Sequence, residues 1–339
     1  MKGLFEIAAR VFRGDGIEAV HCASIAVVDE RGNLTHYLGD PEFVTMTRSC
    51  IKPFQLMPLV ASGAATYFDF DLRQLAIMAG SHNGTDEHRE VVLTNLARAG
   101  NGPEHLQCGC HWPIGMEERR IWPTHGEDKD PVRHNCSGKH SGFLAMARYL
   151  KADVAQYLRP ESPVQQRVLT TVSRYCGFPL DRMTIGVDGC SAPNFPLSLL
   201  SFARGFMKLA AGRGSDDVPA TAAETIREAM MTYPEMVSGE GRFDLSLARA
   251  FPNRLICKSG AEAIEGIGLM DPPVGIAVKI QDGNCRALWP VCVEVLRQLG
   301  YIKHVDNDSP LARFERPEIR NVRDFVTGQI VPDFQLRKV

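Results

Sequence analysis

The sequence predicts an α+β protein: one mostly antiparallel sheet covered by helices, with a helical lobe formed by the middle of the chain. Three observations predict it. Apolar, β-branched runs stand near both chain ends, at Glu18–Asp29 and again from Arg254 to Gln281. Between them, apolar residues recur at three- and four-residue spacing. The 339 residues, 44% hydrophobic and 23% charged, suffice for one large core or two lobes.

Glu18–Asp29 is the first clear strand, and Glu30-Arg31-Gly32-Asn33 turns it back into Leu34–Leu38. A helix follows from about Ser49 to Ala61, then Asp71–Met78 and Glu87–Ala99. Gly100 to Asn135 is rich in Gly, Pro, His and Trp and reads as a long irregular segment, which in a compact domain is usually functional. Ser141–Leu150, Val164–Tyr175, Leu197–Ala211, Ala220–Met231 and Leu245–Phe251 read as helices, with a short strand at Asp181–Val187 leading to Gly189. Arg254–Lys258, Ala261–Met270 and Val274–Gln281 are strands, Asp282-Gly283 is a turn, and Arg286–Leu299 is a closing helix. The expected partition is a single catalytic unit over 1–339. Its sheet lobe covers about 15–50 and 250–300, and its helical lobe about 51–249. The segment after Tyr301 has no expected role.

Composition excludes several function classes. Lys plus Arg is 38 and Asp plus Glu is 40, a net charge of −2, so no basic face for nucleic acid is expected. Apolar runs fall short of the ~20 residues a membrane helix needs. Charges at Lys2, Glu6, Arg10 and Arg13 break any signal-peptide core, so the expected location is the cytoplasm. Ten cysteines in so long a chain are not a small-scaffold disulfide framework, and Cys22, Cys50, Cys176, Cys257 and Cys292 read as small core hydrophobes.

Three motifs carry chemistry: Ser49-Cys50-Ile51-Lys52, Ser81-His82-Asn83 and Lys258-Ser259-Gly260. Each is weak alone. Ser49 reads equally as a helix cap beside a solvated Lys52, and Ser81-His82-Asn83-Gly84 as a polar turn. Together, each occurring once and in this order, they match the Ser-Lys acyl-transfer enzymes. On a helix Lys52 lies one turn beyond Ser49, where a neutral amine can take the hydroxyl proton. Burial or the cation of Lys258 would keep that amine neutral. Ser81 would relay the proton and Asn83 would fix a lysine or the substrate. The N–H groups of Ser49 and Ala261 would form an oxyanion hole.

Among the thiols, Cys108-Gly109-Cys110-His111 has metal-like composition but poor spacing for a tetrahedral site. Asn135-Cys136-Ser137-Gly138-Lys139-His140 and Asp188-Gly189-Cys190 lie at element boundaries. Composition by itself favours buried free thiols there over a metal site.

At these residues the chain resembles the Rhizobium etli-type (class 3) bacterial L-asparaginases. The resemblance rests on Thr47–Gln55, Gly80–Gly84, His134–His140, Asp188–Cys190 and Lys258–Glu262, and spans about residues 15 to 300. It implies a serine β-lactamase/glutaminase-like fold and hydrolysis of L-asparagine to L-aspartate and ammonia. Two tandems are implied, Ser49 with Lys52 and Ser81 with Lys258. A zinc ion held by Cys136, Lys139 and Cys190 is implied too, modulatory rather than attacking, and so is a homodimer. The substrate's α-carboxylate calls for a cation, for which Arg48 is the candidate. Asp188 is the candidate for the α-ammonium or for a zinc-bound water, and His82 for a hydrogen bond to the substrate. Trp112 and Trp122 are core or lid. The alternatives are a glutaminase, a hydrolase of β-lactam or ester substrates, and a non-catalytic ligand sensor.

Overall fold

A computed structural model describes residues 4–115 and 129–339. The chain divides into two compact units, one of Met1–Cys50, Leu197–Met207 and Ser246–Val339, the other of Ile51–Pro196 and Lys208–Leu245. The α+β class and the antiparallel sheet are as the sequence predicts. Trp122 lies outside the described residues.

The first unit is built on a nine-stranded antiparallel sheet. From one edge its strands run Glu318–Arg320, Val326–Pro332, Glu6–Arg13, Gly16–Val28, Pro273–Ile280, Ile264–Met270 and Leu255–Gly260. Leu34–Leu38 pairs with Gly16–Val28, and Arg337–Lys338 pairs with Leu34–Leu38. Ile25–Val28 are buried outright, so this central strand is held by side chains worth roughly 1.5–3 kcal/mol each for Ile and Val. The helix Cys285–Gln298 packs on the sheet, with Trp289 edge-on to Phe314 at 5.5 Å. The Leu197–Met207 segment also belongs here, and its backbone comes so close that a Cβ on Gly275 would lie 1.9 Å from Ala203 O.

Both chain ends join this sheet, as the runs near them suggest, but they extend it past the expected 15–50 and 250–300. Glu6–Arg13 pairs on one side with Gly16–Val28 and on the other with Val326–Pro332. The C-terminal segment therefore supplies three strands rather than an unassigned tail. Neither signal is local: Glu6, Arg10 and Arg13 interrupt the first strand, and the last strands are two, three and seven residues long.

The second unit is helical. Lys52–Ala61 is its central helix, with Lys52 through Leu59 all buried, and it packs on Pro163–Cys176, Ala220–Thr232 and Ser137–Tyr149. Starts and stops follow capping chemistry. Asp71 and Thr85 each form a capping box, Ser162 caps Pro163–Cys176, and Gly177 ends that helix at a φ of 68°. Two boundaries move. Ser137–Tyr149 starts four residues before the expected Ser141, and Asp181–Val187 resolves into a 3-10 turn at Leu180–Arg182 and a two-residue strand at Gly186–Val187. Among the described residues no helix is long and apolar enough to cross a membrane, and no disulfide joins any cysteine.

The contact at Gly275 gives a stability test. Gly275→Val drives two γ-carbons into the backbone of Ala203. Overpacking of this kind costs about 1–3 kcal/mol, which should lower Tm by roughly 1–4 °C in a thermal melt.

Candidate active site

Lys52 opens the central helix of the helical unit at 1% exposure. A lysine buried this deeply survives only if its polar head is satisfied. Its Nζ donates to Gly80 O at 2.6 Å, to Ser81 Oγ at 2.8 Å and to Asn135 O at 3.3 Å, with the Cys136 thiol also beside it. Removal of one proton reverses the Ser81 contact, so that the hydroxyl donates to the amine lone pair. Ser81 is held just as firmly: its N–H donates to Val237 O at 2.7 Å, and its carbonyl accepts from Arg242 Nη1. Arg242 carries no sequence signal, because it follows Ser81 by 161 residues and meets only its backbone.

His82 is fully buried and stacks on His88 with centroids 5.1 Å apart. Gly84 N–H donates to its Nδ1, so Nε2 carries the proton toward Ser137 Oγ at 3.0 Å, and both ring nitrogens are committed to the protein. Burial first, then His88 and Lys52, holds this imidazole well below its ordinary pKa. Asn83 donates from Nδ2 to Glu240 O at 2.9 Å, while its buried Oδ1 has no hydrogen-bond partner among the described residues. That oxygen is an acceptor available to a ligand.

The thiols named in the sequence come together on the same unit. Lys139 Nζ donates to Cys190 Sγ at 3.0 Å, and Cys136, Lys139 and Cys190 are all buried. The hydrogen bond with Cys190 pulls the Cys136 thiol well below its ordinary pKa. The cations of Lys52 and Lys139 act in the same sense. Cys190 moves the opposite way, raised chiefly by Cys136 and by burial, so the pair shares one proton. For Lys139 burial opposes the charge, but the two sulfurs outweigh it and the ammonium is favoured. His140 shares a proton at Nδ1 with Tyr157 OH at 2.7 Å, and its ring also interacts with the Cys190 sulfur. Asp188 Oδ2 lies 3.9 Å from the Cys190 sulfur.

Two buried sulfurs and one buried amine in mutual contact, with the His140 ring beside them, fit a soft-to-borderline divalent ion such as zinc. Lys139 would have to shed its proton to become a donor. Cys108, also buried, is raised to about 12 by burial first and then by Cys136 and Cys190, which makes it a neutral thiol at the edge of the cluster. Trp112 is half-buried, with Lys129 Nζ 5.2 Å from its ring centre.

The other candidates stand on the sheet unit. Arg48–Ile51 is a 3-10 turn, not the first turn of an α-helix as expected, and it runs directly into Lys52–Ala61. Ser49 is half-buried in this turn. The Cys50 sulfur lies 2.6 Å from Lys258 O and 3.2 Å from Ile264 O, so the thiol ties the serine turn to the strand carrying Lys258. A Cβ on Gly260 would come within 3.1 Å of Thr47 O and Cys50 N, which shows how closely turn and strand approach. Lys258 is fully buried and donates to Ser259 O at 2.7 Å. Ala261 is exposed in the three-residue loop between Leu255–Gly260 and Ile264–Met270. The sequence pairs Ser49 with Lys52 and Ser81 with Lys258. The contacts within each unit join Lys52 to Ser81, and Cys50, next to Ser49, to Lys258.

A family model described as L-asparaginase II matches residues 9–332. Among solved structures the chain is similar to a protein called Mglu, with 15% identity and a TM-score of 0.47 over 84% of this chain and 69% of that one. It is also similar to a Bacillus glutaminase, with 13% identity and a TM-score of 0.39 over 82% of this chain and 90% of the other. A β-lactamase from Desulfarculus baarsii DSM 2075 gives 15%, 0.39, 82% and 91% in the same terms. No curated protein sequence matches the chain.

The buried imidazoles set an acid limit on the metal-free protein. Burial depresses His134 to about 3 and His140 to about 4. The unfolded chain therefore takes up protons below its ordinary histidine pKa of about 6.5 while the folded state does not. Stability should fall from about pH 6.5 downward, by about 3 kcal/mol from these two groups between pH 6.5 and 5. Urea titrations across that range would show the midpoint dropping on acidification. A midpoint that rose would contradict the neutral imidazoles.

Proposed function

The chain belongs to the L-asparaginase II family and is an amidohydrolase, and from that premise we propose that it hydrolyses L-asparagine to L-aspartate and ammonia with Ser49 as nucleophile. The observation that carries this reading is the buried Lys52 amine 2.8 Å from Ser81 Oγ, three residues along the chain from Ser49. Once neutral, that amine is a base within one turn of one serine and in hydrogen-bond contact with another.

Lys52 takes the Ser49 hydroxyl proton as Oγ bonds to the side-chain amide carbon. The carbonyl electrons move onto oxygen, and the N–H groups of Ser49 and Ala261 stabilise the oxyanion. The proton held by Lys52 passes through Ser81 to the amide nitrogen. The C–N bond then breaks, ammonia leaves, and a β-aspartyl ester remains on Ser49. Water, deprotonated by the same lysine, cleaves the ester and returns the proton to Ser49. Lys258 supports this transfer electrostatically, Arg48 takes the substrate's α-carboxylate, and the open Asn83 Oδ1 accepts from the substrate or from a displaced lysine.

Cys136, Lys139 and Cys190 would hold zinc. A zinc ion there supplies a fixed positive charge that tunes how Lys52 gives up its proton, since Cys136 and Lys52 interact directly. The residues of the chain do the bond making.

Ammonia release from L-asparagine and L-glutamine tests the reading. Ser49→Ala and Lys52→Met should each lower kcat by roughly three orders of magnitude or more while circular dichroism stays unchanged. Turnover retained in Ser49→Ala removes the nucleophile assignment, and preference for glutamine keeps the mechanism and changes the substrate. Metal analysis after dialysis against micromolar zinc should give about one equivalent for the wild type and close to none for a Cys136→Ser, Cys190→Ser double variant.

A further inference from the structure

Two stretches of strained backbone meet beside Ser49 on the sheet unit. Arg48 has a φ of 49°, and Glu262 and Ala263 have φ values of 63° and 51° in the loop after Gly260. None of these residues is glycine, and side chains rarely adopt this left-handed region unless the surroundings impose it. Two holds are visible. Lys279, buried, donates from Nζ to Glu262 O at 2.7 Å, and the Cys50 thiol binds Lys258 O at the base of the same loop.

The strain places two opposite charges side by side. Arg48 Nη1 lies 3.6 Å from Glu262 Oε1, beyond hydrogen-bond distance, with Glu262 66% exposed. The Glu262 carboxylate accepts no hydrogen bond among the described residues. Gly283 keeps its place open, because a Cβ there would lie 2.5 Å from Glu262 Oε2. An exposed ion pair contributes little to stability, so the pair does not offset the backbone strain that creates it. The pair leaves two opposite charges exposed on the unit that carries Ser49.

Resting on the proposed amidohydrolase function, we infer that Glu262 determines specificity: its carboxylate accepts the substrate's α-ammonium while Arg48 takes the neighbouring α-carboxylate. The pair reads the head of a free α-amino acid. It selects against amides that lack the amino group, and against asparagine whose amine is blocked by acylation or within a peptide.

The test compares L-asparagine with succinamate, the same amide without the α-amino group, in the wild type, Glu262→Gln and Asp188→Asn. Glu262→Gln keeps the side chain's size and removes its charge. It should raise KM for L-asparagine by about 10- to 100-fold, as expected for losing a charged hydrogen bond, with kcat changed less than about threefold and KM for succinamate within about twofold. Equal losses on both substrates would mean that Glu262 acts only by bracing Arg48. No loss on either, or the amino-selective loss appearing in Asp188→Asn instead, would likewise overturn the inference. Calorimetry on the Ser49→Ala background, titrating L-aspartate and then succinate, separates this inference from the proposed reaction. If the wild type releases no ammonia from asparagine or glutamine, the reaction falls. Glu262 still stands if L-aspartate binds at least about tenfold tighter than succinate and Glu262→Gln removes the difference. Absence of that preference overturns it.

Discussion

The buried amine of Lys52 is the constraint on which the rest of the helical unit is arranged. A lysine at the start of a central helix, closed off from water, is among the costliest groups a core can hold. It is tolerated because Gly80, Ser81 and Asn135 each present an oxygen to it. Those three residues come from two loops, and both loops are pinned in turn. Val237 and Arg242 fix the backbone of Ser81, and Asn135 is followed at once by the helix that begins at Ser137. The same oxygens that stabilise the lysine place a hydroxyl against a group able to exchange protons with it, so structural satisfaction and chemical readiness are one arrangement.

Electrostatics extends that arrangement to the sulfurs. Cys136 prefers the thiolate because Cys190 donates to it and two lysines lie close, and Lys139 keeps its proton because the sulfurs outweigh the cost of burial. The neighbouring histidines yield in the other direction: His82, His134 and His140 all favour the neutral ring in a region already holding two buried cations. Charge in this interior is concentrated on a few lysine and sulfur atoms, which suits both proton transfer and the binding of a soft cation.

Legibility in the sequence followed the range of the forces involved. Helices with capping residues, such as Thr85 before Asp86–Arg98 and Ser162 before Pro163–Cys176, were readable because their signals lie within one turn. The three consecutive strands from Leu255 to Ile280 were readable from their apolar, β-branched runs. Glu6–Arg13 and the strands after Tyr301 were not, because they are short or charged and are held by pairings such as Glu6–Arg13 with Val326–Pro332, across more than 300 residues. The site divides the same way. Ser49, Lys52, Ser81 and Lys258 were candidates from short motifs and the Cys-Lys set from the family resemblance, whereas Arg242 and Glu262 are ordinary charged residues until the fold brings them to Ser81 and Arg48.

The sequence by itself determined the α+β class and the family, because residue type and local spacing suffice for these. Tertiary structure decided which partner each of them meets. Lys52 meets Ser81 across 29 residues, and the turn that holds Ser49 is tied to Lys258 through Cys50 across 208. It also decided the protonation of the thiols and imidazoles and the left-handed backbone at Arg48 and Glu262. Burial and hydrogen bonding act between groups close in space, and distance along the chain does not fix that closeness.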